Sequence, residues 1–149
     1  MDASSWDPKI IVVGVDGSTQ SRHAAAVAAA MAANISAALH IVTIVRPPEG
    51  WWGVVGSPPT ATALGNTLSE ARTELLDSII SEIDLDGVDY ETVEDIGDPG
   101  RMLVDYAASV RADVLIIGKR GAGPIERLRL GSVANHVVHD AECPVLVVP

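Results

Sequence analysis

A glycine-rich segment of this chain carries residue types that could bind phosphate. Residues 118–132, GKRGAGPIERLRLGS, follow directly on the apolar run ADVLIIG. They hold four of the ten Lys and Arg residues of the chain, namely Lys119, Arg120, Arg127 and Arg129. Gly118 and Gly121 would let the backbone turn tightly and approach a ligand, because glycine has no Cβ. Gly131 and Ser132 open a predicted helix, whose unpaired N–H groups and dipole favour an anion.

The glycine spacing excludes two common phosphate motifs. The segment lacks the G-x-x-x-x-G-K-[ST] pattern of a P-loop. It is not a Rossmann fingerprint either, because its glycines follow the fourth predicted strand and are wrongly spaced. Without a family, such a strand-to-helix loop has two interpretations, phosphate binding or a simple turn of the chain.

Other candidate residues point to binding rather than to fast catalysis. Asp16 ends the first predicted strand, where it would face a ligand or cap the turn at Gly17. His40 lies in an apolar strand pattern and is interpreted as a hydrogen-bonded histidine of the core or sheet edge. His136 and His139 share a helix face but lack a third ligand, so no metal site is predicted. Ser132 has no evident activating base, and no catalytic residue is assigned.

Composition restricts the class of protein. The chain has 149 residues, 48% of them apolar, with a formal charge of -10, which disfavours nucleic-acid and anionic-membrane binding. Its one cysteine, Cys143, excludes an internal disulfide and is expected to be buried and inert. The N-terminus lacks signal-peptide features, and the longest apolar run, 24–33, is too short to span a bilayer. A cytoplasmic protein is expected.

Strands and helices alternate along the chain. Near-continuous apolar runs at 10–15, 37–45, 112–118 and 143–149 predict buried strands, and 88–95 alternates less cleanly. Predicted helices follow the N-caps Ser18, Asp98 and Ser132, and a further helix covers 67–83. This order predicts one α/β domain over residues 1–149, an open parallel sheet with helices on both faces.

The connection at 46–60 is predicted to be a loop because Pro and Gly are dense there. It contains Trp51 and Trp52, which either cover an apolar surface or subunit contact, or form a flap near a bound base.

The glycine spacing closely resembles that of one family. Gly118-x2-Gly121-x9-Gly131-Ser132 matches the G-x2-G-x9-G-[S/T] signature of the ATP-binding branch of the universal stress protein family. VVGVDGS, LHIV, GDP, LGSVANHVV and CPVLVVP extend the resemblance over almost the whole chain, with 47–65 the least characteristic part. The resemblance implies a Rossmann-like, five-stranded parallel sheet in the order 3-2-1-4-5.

The resemblance also implies a nucleotide site. Gly14, Val15 and Asp16 would lie against the adenosine, with Ile41 and Ile117 flanking the adenine. Gly118, Arg120 and Gly121 would wrap the ribose and phosphate, while Gly131, Ser132 and Val133 would hold the phosphates through their N–H groups. The implied cofactor is ATP, accompanied by Mg²⁺ held mainly by phosphate oxygens and water.

The family further implies a homodimer through the C-terminal strand, 143–149, since that strand would be an exposed apolar edge in a monomer. The main functional expectation is an ATP-binding stress-response sensor or regulator with at most slow ATP hydrolysis and an unknown partner protein. The alternatives are an adenine-nucleotide-dependent enzyme, either an ATP hydrolase or an adenylyl transferase, and an interaction module that binds AMP, cyclic AMP or no nucleotide.

Overall fold

The computed structural model describes residues 5–47, 58–120 and 129–149. Five strands form one parallel sheet: β1 (Ile10–Val15), β2 (Ala38–Val45), β3 (Tyr90–Ile96), β4 (Val114–Gly118) and β5 (Val145–Val148). Within the described ranges, four helices connect them: α1 (Thr19–Ile35), α2 (Pro58–Glu82), α3 (Pro99–Ser109) and α4 (Ser132–Asp140). The strand order is β3-β2-β1-β4-β5, which confirms the predicted topology.

The central strands place the core on both faces of the sheet. In the register, Val12 of β1 lies beside His40 of β2 on one side and Leu115 of β4 on the other. α1 and α2 cover one face, and α3 and α4 cover the other. Small side chains line the sheet-facing side of α1, which lets this helix approach the strands closely; they are Ala24, Ala25, Ala28, Ala29 and Ala32.

Two predicted helix starts are confirmed by their caps. The Ser18 side chain accepts a hydrogen bond from the Ser21 N–H, and the Asp98 side chain accepts one from the Arg101 N–H. Pro99 occupies the first position of α3, as predicted, where its missing N–H needs no partner.

Two other helix starts differ from the prediction. α2 begins at Pro58, nine residues before Thr67, because prolines are tolerated in a first helical turn while the apolar stripe used for the prediction starts only at Leu68. α4 is capped by Gly131, with Ser132 as its first helical residue, and no side chain caps it. The predicted capping role of Ser132 is therefore wrong.

A polar cluster ties α3 to β2 and β3. The Tyr106 hydroxyl lies 2.8 Å from His40 Nδ1 and donates to Glu91 Oε1 over 3.1 Å. Burial, and then the adjacent Glu91 carboxylate, raise the pKa of Tyr106 from 10.0 to about 12. His40 thus has a hydrogen-bond partner at the sheet surface, in line with its interpretation as a structural histidine.

In the parts of the chain that the structure describes, no helix combines the length and apolar character that crossing a membrane requires.

Candidate functional site

A cleft of about 480 Å³ opens at the carboxyl end of the sheet. It lies where the connections of β1 and β4 leave on opposite faces, the point at which open α/β sheets bind ligands. Its described lining residues come from three strand ends and from α1, α2, α3 and α4; they are Gly14, Val15, Asp16, Ser21, Val42, Thr43, Ile44, Val45, Arg46, Leu75, Pro99, Leu103, Ile117, Gly118, Arg120, Gly131, Ser132, Val133 and Ala134.

The turn after β1 presents Asp16 at the cleft. Asp16 Oδ1 accepts the Ser18 N–H over 2.9 Å, and the Asp16 N–H donates to Ser21 Oγ over 3.2 Å. Ser21 is buried, and its hydroxyl donates to the Ser18 carbonyl. Gly17 completes the turn with a φ of +84°, a conformation that favours glycine. Asp16 therefore has a structural hydrogen bond as well as a place in the cleft wall.

The end of β4 and the start of α4 are held side by side. The Lys119 N–H donates to the Val148 carbonyl over 2.7 Å, and the Gly131 N–H donates to the Lys119 carbonyl over 2.9 Å. The two ends of the glycine segment therefore meet, and this brings the first turn of α4 to the cleft beside Gly118. Gly121 and most of the intervening segment lie outside the described residues.

The first turn of α4 is suited to an anion. Its opening residues, Gly131 to Ala134, all line the cleft, and no side chain caps this helix. The first N–H groups of a helix have no partner within the helix, and the positive end of its dipole adds to their attraction for negative charge. Phosphate oxygens could accept hydrogen bonds from them.

Two arginines add positive charge to the cleft wall. Arg120 follows β4, and its buried Nε has no hydrogen-bond partner among the described residues. Arg46 is exposed at the end of β2. Asp16 is the one carboxylate among the described lining residues, so the cleft wall is locally positive within a chain of net charge -10.

Part of the cleft wall is apolar and could receive a flat base. It consists of Val42 and Ile44 of β2, Ile117 of β4, Leu103 of α3 and Leu75 of α2. Pockets of this composition, with a few polar groups, are typical of small-molecule sites.

Nine of the eleven residues that the family resemblance implies line the cleft. They are Gly14, Val15, Asp16, Ile117, Gly118, Arg120, Gly131, Ser132 and Val133. Ile41 does not, because it is fully buried in the core beneath α1 and α2. Side chains alternate between the faces of a strand, so the apolar side chains that β2 brings to the cleft include Val42 and Ile44.

Sequence reasoning missed the contribution of the last residues of β2. Thr43, Ile44 and Arg46 all line the cleft, and the Thr43 hydroxyl is buried without a partner among the described residues. Their position at the carboxyl end of β2, the strand beside β1, could have identified them, since the carboxyl ends of parallel strands meet at one edge of the sheet.

The remaining candidates lie elsewhere or outside the described residues. His136 and His139 are exposed on α4, and His136 Nε2 lies 3.4 Å from Asp140 Oδ2. Among the described residues, no group of three or more His, Cys, Asp and Glu side chains could hold a metal ion. Burial raises the pKa of the half-buried Cys143 thiol. Trp51 and Trp52 are outside the described residues.

Comparison with known proteins identifies relatives of this chain. The sequence model of the universal stress protein family matches residues 8–149. Universal stress protein MJ0531 of Methanocaldococcus jannaschii is 32% identical over 147 residues, an alignment that covers 94% of this chain and 81% of that protein.

Solved structures share the fold. The structure of hypothetical protein MJ0577 superposes with a TM-score of 0.82 at 22% identity, covering 96% of each chain. The crystal structure of a universal stress protein in complex with cAMP superposes with a TM-score of 0.65 at 28% identity, covering 97% of this chain and 98% of that one.

Proposed function

The chain belongs to the universal stress protein family, and we propose that it binds ATP in the cleft at the carboxyl end of its sheet. It would act in the cytoplasm as a nucleotide-dependent regulator of the stress response. One observation carries this proposal: the uncapped first turn of α4 and the guanidinium of Arg120 line the same cleft as an apolar wall. The first two groups suit phosphates, and the wall suits a base.

The proposed orientation follows from this distribution of chemistry. The phosphates would lie at the N–H groups of Ser132 and Val133, with Arg120 beside them. The Gly131 N–H, which the resemblance also implied as a phosphate donor, donates instead to the Lys119 carbonyl. The adenine packs against Ile117, and Ile44 of β2 takes the place that the resemblance implied for Ile41. Gly14, Val15 and Asp16 lie against the adenosine, where a carboxylate can accept hydrogen bonds from ribose hydroxyls. Gly118 lines the same cleft, and the resemblance implies that Gly121 also contacts the ribose and phosphate.

Mg²⁺ would reach the site with the nucleotide. Asp16 is the one carboxylate that the described residues bring to the cleft, and one of its oxygens already accepts the Ser18 N–H. Mg²⁺ commonly keeps several waters and binds through substrate phosphates with one or two carboxylates. Phosphate oxygens and water are therefore its proposed ligands.

Binding without fast turnover is the proposed mode of action. Hydrolysis needs a group that activates water beside the terminal phosphate. The described lining residues contain no His, Cys or Glu, and Asp16 is engaged with Ser18. Any ATP hydrolysis is expected to be slow, and a nucleotide held without turnover can report its own concentration to a partner protein.

Cyclic AMP is the second candidate ligand. It is favoured by the related universal stress protein that was solved in complex with cAMP. Its single phosphate would need the N–H groups of α4, whereas the further phosphates of ATP would also use Arg120.

Isothermal titration calorimetry with ATP, AMP, cyclic AMP and GTP, each with and without Mg²⁺, tests the proposal. We expect one site per chain, tightest binding of ATP with Mg²⁺, and weaker binding of GTP. A higher affinity for cyclic AMP than for ATP would select the second candidate, and no saturable heat with any of the four would reject the site.

We further propose that two copies of the chain pair through 143–149. β5 is an edge strand of the sheet, and Leu146 on it is 38% exposed. An uncovered apolar edge is an association hazard that pairing with a second copy removes.

A further inference from the structure

Arg22 joins the turn of the cleft to α2. Its Nε donates to the Gly17 carbonyl over 3.2 Å. Its Nη1 donates to Ser78 Oγ over 3.0 Å and to Glu82 Oε1 over 2.6 Å. One side chain on the first turn of α1 therefore bonds both the backbone between Asp16 and Ser18 and two side chains one turn apart on α2.

An apolar contact runs parallel to this polar connection. A Cβ built on Gly17 would lie 2.7 Å from Leu75 Cδ1, so Leu75 packs directly over the turn. Leu75 also lines the cleft. Leu75, Ser78 and Glu82 are separated by three and four positions, which places them on one face of α2.

We propose that Arg22 is a positioning residue of the cleft, which clamps α2 onto the Asp16–Ser18 turn. This inference rests on the nucleotide site proposed above. The clamp fixes two parts of the cleft wall together, the turn that carries Asp16 and the Leu75 side chain. Arg22 itself is outside the described lining of the cleft, so it acts through these groups rather than through contact with the ligand.

Arginine suits this role because its planar guanidinium presents several donors in a fixed fork. The Arg22 side chain is 30% exposed and the Glu82 side chain is 52% exposed. Glu82 therefore keeps contact with water, whereas most of the Arg22 side chain is enclosed by the protein. Arg22 donates to Gly17 and to α2 from two different nitrogens, Nε and Nη1, whereas a lysine presents its three N–H donors from a single nitrogen and does not reproduce this spacing.

Removal of the Glu82 carboxylate should change the affinity for nucleotide in opposite directions, depending on whether Arg22 acts as a clamp or only as a positive charge. If Arg22 acted only through its field, loss of the Glu82 carboxylate would strengthen the attraction for an anionic nucleotide. If Arg22 acts as a clamp, loss of its acceptors on α2 weakens binding. Asp77 is an exposed carboxylate of the same helix and is not among the acceptors of Arg22, which makes it a matched control for charge.

The experiment is calorimetric titration of ATP into the full chain and its variants. We expect the double variant Ser78→Ala, Glu82→Ala to bind ATP about fivefold more weakly, the lower end of typical couplings between sites. Asp77→Ala should bind ATP unchanged or more tightly. Glu82→Gln keeps an oxygen that accepts from Nη1 and should recover most of the wild-type affinity.

Arg22→Lys provides a second measurement, with adenosine as an uncharged probe. The lysine keeps the positive charge, so weaker adenosine binding by this variant supports the clamp.

Equal or tighter ATP binding by the double variant, or unchanged adenosine binding by Arg22→Lys, overturns the clamp. If the wild-type chain binds no nucleotide, the proposed site itself is wrong. If the wild-type chain binds ATP and the variants bind it equally well, only the clamp is wrong. Thermal melts confirm that each variant is folded.

Discussion

Gly118 is constrained by the helix that packs across it. A Cβ at this position would lie 2.9 Å from the Gln20 carbonyl carbon and 3.0 Å from the Ser21 nitrogen. These atoms belong to the backbone of α1, which cannot move aside as a flexible side chain does. Close packing of β4 against α1 thus requires glycine here, in addition to any approach of a ligand.

Replacement of Gly118 by alanine should therefore lower the stability of the fold. The cause is the contact with the α1 backbone, which is separate from any effect of the substitution on nucleotide binding. We expect a loss of about 1–3 kcal/mol in the free energy of unfolding, typical of overpacking, measured by urea denaturation.

Gly65 is the matched control, because a Cβ there would meet no atom within 4 Å and the residue lies in α2. Gly65→Ala should raise the free energy of unfolding by about 0.5–1 kcal/mol, the usual gain in a helix interior. Equal stability of Gly118→Ala and wild type would contradict the packing argument.

Arg120 should discriminate phosphate-bearing ligands from adenosine. Arg120→Ala is expected to weaken ATP binding about tenfold or more, since a hydrogen bond to a charged group contributes roughly 1.5–3 kcal/mol. Adenosine binding should change little. Arg129, an exposed arginine at the other end of the same segment, is the control, and its alanine variant should change neither affinity. An equal loss of ATP and adenosine binding would refute a phosphate contact.

At the scale of the elements, β1, β2, β4 and β5 were predictable because their apolar runs are nearly continuous, whereas β3 gave a weaker, alternating pattern. The residues of the cleft depend on which strands pair, which the sequence pattern alone does not give. The pairing of β1 with β4 brings Asp16 and Gly118 to one cleft, as their place at strand ends suggested. Of the two β2 isoleucines, Ile41 lies deeper in the strand and is buried in the core under α1 and α2, whereas Ile44 lies nearer the carboxyl end and lines the cleft. The start of α2 could not be predicted from an apolar stripe that begins at Leu68.

Tyr106 should contribute to the stability of the α3 contact with the sheet. Tyr106→Phe removes the hydrogen bonds to His40 and Glu91 and should lower the free energy of unfolding by about 0.5–1.5 kcal/mol at pH 7. Because the folded state raises the pKa of Tyr106 from 10.0 to about 12, it retains this proton more tightly than the unfolded chain.

The stabilisation from Tyr106 is therefore fully present below pH 10 and is lost as the pH rises through 12. Denaturation of wild type and Tyr106→Phe at several pH values measures this, and their difference in stability should narrow over that range. A difference that stays constant up to pH 12 would count against the assignment.

The whole molecule has two unequal sheet edges. β3 carries Glu91, Glu94 and Asp95, and acidic side chains on an edge strand discourage association. β5 is short and apolar, and Leu146 is exposed on it while Val138 is exposed on the neighbouring α4. This asymmetry supports pairing of two copies at β5 rather than at β3.

Leu146→Lys should shift the chain from dimer to monomer. A lysine at an apolar contact leaves a charge to be desolvated, so the pair becomes unfavourable. Light scattering coupled to size exclusion measures the mass. Tyr90→Lys, at a 42% exposed position on β3, is the control and should leave the dimer intact. A wild-type chain that is monomeric at micromolar concentration would contradict the proposed pairing.

The most direct test of the central claim is an NMR titration that follows the backbone amides of the full chain as ATP with Mg²⁺ is added. We predict saturable shifts concentrated at Ser132 and Val133, because their N–H groups would bond the phosphates. The amide of Gly87, a turn glycine before β3, should not shift. Saturable binding without shifts in the first turn of α4, or no shifts anywhere, would contradict a nucleotide site in this cleft.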